Sequence, residues 1–315
     1  MADGDYERGR GREIDAIAAE LKRLAAAREG RNLLRPTREG RAPARPSTGE
    51  TPVVPVREGR APARPSVFVL NGWAASPQAW DLCGFMRPQQ VATLPTGTTG
   101  ILPVEKSAAL PRLFSYVEQL DGEPEKAIEN VERCILVGWS MGGSSALRLA
   151  TRWPEKIAGL VLIAATPRMM EEKETGWKGM SPRRLEALRY GLVMTKGMGV
   201  FGVPEGKPNP YLADEPANLE RGLKYLLETD VRADLEALRT TSHEPRTTFP
   251  VHIFQSERDG IVRAANADYL KKIFPQASVT MVSGAEHALP IFIPELIDEA
   301  VDSCLRLAAA GQDIA

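Results

Sequence analysis

A serine between two glycines, at the junction of two apolar segments, constrains the fold of this 315-residue chain most strongly. The segment CILVGW (134–139) is continuously apolar, as in a strand covered on both faces of its sheet. The segment GSSALRLATRW (143–153) has helical periodicity and ends at a proline. Between them, Gly138 and Gly142 flank Ser140, and they remove the Cβ atoms that would collide in a tight turn. The sequence therefore predicts a strand, a sharp turn with Ser140 at its apex, and a helix.

Similar short apolar segments alternate with helical segments from residue 66 onward. A short helix is predicted after the first of them, with Ser76 as N-cap and Pro77 at the first helical position. This alternation indicates an α/β fold, a mostly parallel sheet with helices on both faces. The other predicted strands are SVFVLNGW (66–73), LFSYVEQLDG as a strand plus turn (113–122), IAGLVLIAATP (157–167), VHIFQSERDG (251–260) and SVTMVSGAEH (278–287).

The N-terminal part of the chain differs from the rest. Apolar residues recur at helical spacing within residues 1–29, which predicts an amphipathic helix. Residues 30–66 contain the decamer REGRAPARPS twice, at 38–47 and 57–66, and this density of Pro and Gly opposes both helices and sheets. We therefore predict a disordered linker at 30–66 and an α/β domain at 67–315. The N-terminal part is either a solvated tail or a basic arm that docks onto an acidic partner.

One segment inside the predicted domain does not fit the alternation. Residues 88–111 are rich in Pro and Thr where a strand or a short loop is expected. We predict that this segment is an insertion.

Composition narrows the class of protein. The net charge of −1 provides no whole-chain attraction for nucleic acid or an anionic membrane. No apolar segment approaches the roughly 20 residues of a membrane span. Three widely separated cysteines argue against a disulfide framework, and the N-terminus lacks the apolar region of a secretory signal. We expect a cytoplasmic monomer without cofactor or metal.

The serine at the turn is a candidate nucleophile that needs a base. A turn of this kind between a strand and a helix is typical of a nucleophile elbow, in which partners follow in the order serine, acid, histidine. The chain has three histidines, His243, His252 and His287. His243 lies in a polar stretch and His252 lies inside a predicted strand. His287 follows a strand, at the carboxyl edge of the sheet where catalytic loops gather, and is the predicted base.

The acidic partner of His287 is expected directly after the strand that precedes the His287 strand in the chain. The stretch following VHIFQ offers Glu257 and Asp259. Because Asp259 and Gly260 form the predicted turn, we expect Asp259 to orient the imidazole, with Glu257 as the alternative.

A tetrahedral oxyanion needs two hydrogen-bond donors. The backbone N–H of Met141, at the start of the predicted helix, is one candidate. The other is the N–H of Trp73, which follows the turn at Gly72 after the first strand. Asn71 stands where many enzymes of this kind carry His.

Residues from about 66 to 305 resemble the α/β-hydrolase family and, within it, the pimeloyl-(acyl-carrier protein) methyl ester esterases of biotin synthesis. The narrower resemblance is carried by three stretches, NGWAASPQAW (71–80), the segment 160–192 with its Thr-Pro-Arg and Gly-Met-Ser-Pro landmarks, and GLKYLLETDVRADLEAL (222–238). The resemblance implies a triad of Ser140, Asp259 and His287, with Trp73 and Met141 as oxyanion donors. It also implies a helical lid over residues 168–246 and a methyl ester presented by an acyl-carrier protein.

Basic residues in the predicted lid suit an acidic carrier protein. They are Arg168, Arg183, Arg184 and Arg189. Several glutamates lie in the same region, so an ordinary solvated helix face is an equal alternative. Two other functions stay open, a promiscuous short-chain esterase and a non-catalytic binding protein of the same fold. An intact Ser140, Asp259 and His287 argue against the second, because a binding protein has no need of all three.

Overall fold

The computed structural model describes residues 64–87, 111–189, 215–240 and 249–310. They form a six-stranded sheet of order β2-β1-β3-β4-β5-β6 in which every neighbouring pair is parallel. This confirms the predicted α/β architecture. The strands are β1 (Ser66–Leu70), β2 (Arg112–Phe114), β3 (Cys134–Trp139), β4 (Ile157–Ile163), β5 (Val251–Ser256) and β6 (Ser278–Val282).

Helices cover both faces of the sheet. Alternate residues along the central strands contribute to two apolar cores, since successive strand side chains point to opposite faces. One core includes α3, α6 and α7, and the other includes α9. The helices are α1 (Tyr116–Leu120), α2 (Glu123–Glu129), α3 (Met141–Arg152), α4 (Pro182–Arg189), α5 (Pro216–Glu228), α6 (Arg232–Thr240), α7 (Ala265–Ile273), α8 (Leu289–Phe292) and α9 (Pro294–Ala309).

The strand in segment 113–122 is shorter than predicted. Strand β2 ends at Phe114, and the helix α1 takes the following residues. Ser115 and Glu118 form a capping box, in which the Glu118 N–H donates to Ser115 Oγ and the Ser115 N–H donates to Glu118 Oε2. This local signal starts a helix where the apolar pattern predicted a turn.

The predicted helix after β1 is a short 3-10 turn, Pro77–Trp80. Ser76 occupies the N-cap position and Pro77 follows in the first turn, but the Ser76 side chain makes no capping hydrogen bond. The position was therefore predicted correctly, and the capping contact was not.

Parallel strands bring the candidate site together at one edge. Ser140 follows β3, Asp259 follows β5, His287 follows β6, and Gly72 follows β1. The carboxyl ends of these strands lie on the same side of the sheet, where open α/β sheets bind ligands.

Two parts of the predicted lid lie above this edge, residues 168–189 and 215–240. Side chains of both parts pack with the start of α3 in a third apolar cluster. The buried members of this cluster are Ala74, Tyr116, Met141, Met169, Met180, Leu185, Leu219, Leu223, Leu226 and Val262. In the part of the chain that the structure describes, no helix has the length and apolarity needed to span a bilayer. The predicted N-terminal helix and linker, and nearly all of the predicted insertion, lie outside the described residues.

Candidate active site

Ser140 adopts a backbone conformation that an L-residue rarely takes. Its φ is 56° and its ψ is −116°. Such a conformation costs of the order of 1–3 kcal/mol, and it persists only where the surroundings impose it. Here the Ser140 N–H donates to the Ile163 carbonyl at 2.9 Å, and the Ser140 carbonyl accepts from the Gly143 N–H at 2.9 Å.

Both flanking glycines are required by close backbone approach. A Cβ at Gly138 would lie 2.4 Å from the carbonyl oxygen of Gly142, and one at Gly142 would lie 2.0 Å from that of Leu70. No side chain fits either position, so the strand and helix can meet at Ser140 only with glycine there. The predicted sharp turn is thus present, with its serine at the apex.

Ser140, His287 and Asp259 form a continuous chain of hydrogen bonds. His287 Nε2 lies 2.8 Å from Ser140 Oγ, and His287 Nδ1 lies 2.9 Å from Asp259 Oδ2. A proton on Nδ1, donated to the carboxylate, leaves Nε2 free to accept the proton of the serine hydroxyl. This is the geometry of a serine nucleophile with its base and its orienting acid.

Asp259 is held as an acceptor from several directions. Its side chain is fully buried, and its Oδ1 accepts the N–H groups of Ile261 and Val262, both at 2.8 Å. These bonds leave Oδ2 facing the imidazole. Glu257, the alternative acid, instead accepts from Ser283 Oγ at 2.9 Å. The structure brings Asp259 to His287 and directs Glu257 elsewhere.

Three further side chains support this arrangement, and sequence reasoning missed them. Trp139 Nε1 donates to the His287 carbonyl at 3.0 Å, and its indole lies tilted against the imidazole at 5.9 Å. Ser256 donates to the Ala285 carbonyl in the same loop. The buried amide of Gln255 donates to Val262 at 3.0 Å, which closes the acid loop. The contacts of Trp139 and Ser256 join separate parts of the chain, 148 and 29 residues apart, whereas that of Gln255 lies within one loop.

The loop after β1 lies directly against the elbow. Leu70 of β1 is paired with Gly138 of β3, so the two strands end side by side. A Cβ at Gly72 would lie 3.2 Å from Trp139 Cε3 and 3.5 Å from Ser140 Cβ, so the loop is in van der Waals contact with the elbow. The backbone that continues into Trp73 and the first turn of α3 at Met141 therefore flank the serine.

Asn71 holds this loop from the side of the protein core. Its buried amide donates to the Ala75 carbonyl at 2.8 Å, and its Oδ1 accepts from the Gly72 N–H and Trp80 Nε1, each at 3.0 Å. Gln119 in turn donates to the Asn71 carbonyl at 2.9 Å. Both the donor and the acceptor of the carboxamide are used, which explains a polar side chain with no solvent exposure at this position.

His252, the other histidine among the described residues, does not contribute to this arrangement. His252 lies in β5, half-buried, and burial lowers its pKa. His243 lies outside the described residues.

A family model described as alpha/beta hydrolase family matches residues 19–300. The chain belongs to the alpha/beta hydrolase family. The match begins ahead of the predicted domain and runs through the elbow, the acid and the histidine.

Two curated proteins are similar to the hydrolase over most of its length. A pimeloyl-(acyl-carrier protein) methyl ester esterase from Nitrosomonas europaea is 26% identical over 254 residues, covering 72% of this chain and 90% of that protein. The biotin biosynthesis bifunctional protein BioHC from Cellvibrio japonicus is 26% identical over 263 residues, covering 78% of this chain and 48% of that longer protein.

A solved structure confirms the fold of the hydrolase. The bromoperoxidase from Bacillus anthracis superposes with a TM-score of 0.53 at 15% identity, covering 78% of this chain and 92% of that one. At this identity the likeness concerns the fold alone.

The four arginines predicted to lie in the lid of the hydrolase differ from one another in their surroundings. Arg168 is paired with Asp230 at 2.5 Å and with Glu172 at 3.1 Å, so its charge is compensated inside the protein. Arg183 and Arg184 are exposed on α4. The Arg184 guanidinium would lie 2.7 Å from a Cβ at Gly260, beside the acid loop. The side chain of Arg189 lies outside the described residues.

The hydrolase also has an open cleft of about 760 Å³ away from this site. It lies between the loop at 175–178, α6 and α7, and its lining includes none of Ser140, Asp259 and His287. There the Arg232 guanidinium lies over the Trp177 ring, 5.1 Å from its centroid, and Tyr269 meets the same ring edge-to-face with centroids 5.2 Å apart. These contacts join the segments at 175–178 and α6, both in the predicted lid, to α7.

Proposed function

We propose that this hydrolase is a cytoplasmic serine carboxylesterase that cleaves the methyl ester of a pimeloyl group carried on acyl-carrier protein. The unbroken hydrogen-bond chain from Ser140 through His287 to Asp259 carries the chemical part of the proposal. The similarity to the Nitrosomonas europaea esterase supports the substrate.

In the first half of the reaction, His287 Nε2 takes the hydroxyl proton as Ser140 Oγ attacks the ester carbonyl carbon. The resulting oxyanion accepts hydrogen bonds from the backbone N–H groups of Met141 and Trp73. Asp259 stabilises the imidazolium without itself becoming protonated. The tetrahedral intermediate collapses, His287 returns the proton to the leaving oxygen, and methanol departs from an acyl-serine.

In the second half, water replaces methanol. His287 removes a proton from the water molecule as the water oxygen attacks the acyl carbon. The second oxyanion that forms accepts hydrogen bonds from the same two N–H groups. Collapse of this intermediate breaks the bond to Ser140 Oγ, which regains its proton from His287. The products are methanol and a pimeloyl group with a free carboxylate, still attached to its carrier.

The cluster under the lid is suited to an apolar acyl chain. Met141, Met169 and Met180 are buried together beside the start of α3. Methionine side chains are flexible and polarisable, so they adapt to an extended aliphatic ligand. Packing of the apolar cluster beneath the predicted lid explains these three buried side chains equally well.

A promiscuous short-chain esterase is the second candidate. The pairing of Arg168 with Asp230 and Glu172 favours it, because that arginine then offers little net charge to an acidic carrier. The two functions share their chemistry and differ in whether the lid recognises a protein.

Charge reversal on α4 separates the two candidates. The double variant Arg183→Glu/Arg184→Glu should lower kcat/KM for a carrier-bound methyl ester by about tenfold and leave a small free ester unaffected. Charge steers association of an acidic carrier, and added salt should therefore reduce the difference. Arg152→Glu/Arg306→Glu, exposed at the carboxyl ends of α3 and α9, is the control with the same change in net charge. Equal losses on both substrates would reject carrier recognition by α4.

Growth provides the test of the physiological role. A biotin-requiring strain that lacks its own methyl ester esterase should grow without biotin when it expresses this chain. The Ser140→Ala variant, expressed at the same level, should not restore growth. Failure of the wild-type chain alongside activity on free esters would favour the promiscuous esterase.

A further inference from the structure

The side chain of Trp73 contacts the lid, although its backbone lies beside Ser140. The indole Nε1 donates to the Leu219 carbonyl of α5 at 3.0 Å. A Cβ at Gly222 of α5 would lie 2.4 Å from the indole Cδ1 and 2.8 Å from Nε1. The ring therefore occupies the space that any larger residue at position 222 would take.

The same helix is tied to the element that carries the other candidate oxyanion donor. The Tyr225 hydroxyl lies 3.1 Å from Ser145 Oγ on α3. Leu219 and Leu223 belong to the apolar cluster that includes Met141. Helix α5 thus contacts both the loop of Trp73 and the helix that begins at Met141.

The peptide of Trp73 lies in a tight turn whose orientation is set by its surroundings. Ala74 has a φ of 61°, and the Ala75 N–H donates to the Gly72 carbonyl at 3.2 Å. Asn71 fixes the inner side of this turn, as described above. The indole is the contact that fixes the outer side.

We propose that α5 is a positioning element for the reaction, which sets the Trp73 N–H against the oxyanion through the indole seated on Gly222. This inference rests on the proposed ester chemistry at Ser140. A change in the seating of α5 then alters the oxyanion site while Ser140, His287 and Asp259 stay in contact. Trp73 then has two roles. Its backbone N–H donates to the oxyanion, and its indole contacts α5.

The size of the expected effect follows from the role. Loss of an entire oxyanion donor costs about 10²–10³ in kcat, and misplacement by about 1 Å can cost 10²-fold. A displaced but present N–H should therefore cost about 10- to 100-fold. The loss should appear in kcat, with KM changed less than about threefold, because the donor acts mainly in the transition state.

Gly222→Ala is the direct test, measured with p-nitrophenyl butyrate on the full-length chain. Alanine is the better helix former, so helix propensity alone would stabilise α5. We expect kcat to fall 10- to 100-fold and the affinity for a trifluoromethyl ketone, which forms a tetrahedral adduct, to fall by a similar factor. Lys224→Ala, exposed on the same helix, is the matched control and should retain wild-type kcat.

A double-mutant cycle identifies the indole as the route. In a Trp73→Ala background the added methyl group at position 222 has no ring to displace, so Gly222→Ala should cost less than twofold there. Trp73→Phe, which removes the donation to Leu219 while keeping an aromatic ring, should lower kcat and ketone affinity together by about three- to tenfold. This variant decides the question if Gly222→Ala does not fold.

The outcomes separate this inference from the proposed function. An active wild type with unchanged kcat in Gly222→Ala, or with a loss confined to KM, would overturn the role of α5. Equal losses from Gly222→Ala in both backgrounds would also overturn it, since the indole would then not be the route. A wild type inactive on every ester would instead overturn the proposed function.

Discussion

Ser140 keeps its left-handed backbone because two glycines allow the neighbouring chain to approach within contact distance. The carbonyl of Leu70 occupies the space over Gly142, and the backbone of Gly142 and Gly143 occupies the space over Gly138. The residue is 6% exposed, and its hydroxyl oxygen lies 2.8 Å from His287 Nε2. The reactivity proposed for Ser140 therefore depends on the strand and the helix that meet there.

Substitution within the hydrogen-bond chain should affect turnover far more than folding. We expect Ser140→Ala and His287→Ala to lower kcat for p-nitrophenyl butyrate by about 10⁴–10⁶. Asp259→Asn should cost about 10⁴, because an amide favours the wrong imidazole tautomer. Circular dichroism should show each variant folded.

Glu257→Gln is the control for the choice of acid. Its carboxylate contacts Ser283, so kcat should stay within about twofold of wild type. A greater loss in Glu257→Gln than in Asp259→Asn would assign the acid to position 257.

At the scale of elements, local sequence signals predicted the strands and the turn at Ser140 but not every helix. Continuous apolar segments predicted β3 and β4, since both are buried on two faces. The stretch 113–122 was predicted wrongly because the capping box at Ser115 starts a helix. A cap of this kind is visible in the sequence as Ser followed three residues later by Glu.

The base of the predicted lid is held by a network of ion pairs. Asp230 accepts hydrogen bonds from Arg232 and Arg168, which together hold the pKa of its carboxyl below the usual range, Arg232 more strongly. Glu172 also pairs with Arg232, at 2.9 Å. A carboxyl whose folded pKa is depressed stabilises the fold above its unfolded pKa, and this stabilisation is lost as pH falls through the folded pKa.

Asp230→Asn should therefore destabilise the protein in a pH-dependent way. We expect the free energy of unfolding in urea to fall by about 1 kcal/mol at pH 7, since the network is partly exposed. The difference from wild type should shrink as the pH drops below about 4, near the unfolded pKa of aspartate. Asp302→Asn, on the exposed face of α9, is the control. A difference that is constant with pH would contradict the electrostatic origin.

At the scale of the whole molecule, chain order predicted the residues of the candidate site, and long-range packing determined their support. Ser140, Asp259 and His287 follow three different strands in the expected order. The contact of Trp139 with His287 spans 148 residues, and the compensation of Arg168 by Asp230 spans 62. Neither could be predicted, because no local pattern specifies which side chains meet across the sheet edge.

The N-terminal part of the chain should be dispensable for esterase activity. Every residue of the candidate site lies between Asn71 and His287, and β1 begins at Ser66. We expect a variant that lacks residues 1–62 to keep kcat and KM within about twofold on p-nitrophenyl butyrate. An insoluble or inactive product would show that the domain begins earlier, as the family match from residue 19 would allow.

Covalent labelling of Ser140 tests the central claim most directly. A fluorophosphonate reacts with an activated serine by displacement of fluoride, which leaves a stable phosphonyl ester on Oγ. Intact-mass and peptide mass spectrometry should show one adduct per chain on Ser140, with esterase activity lost in proportion. Ser140→Ala should take up no label, and His287→Ala should react more slowly by several orders of magnitude. Labelling at another residue, or full activity in a chain labelled at Ser140, would contradict a serine hydrolase acting through this site.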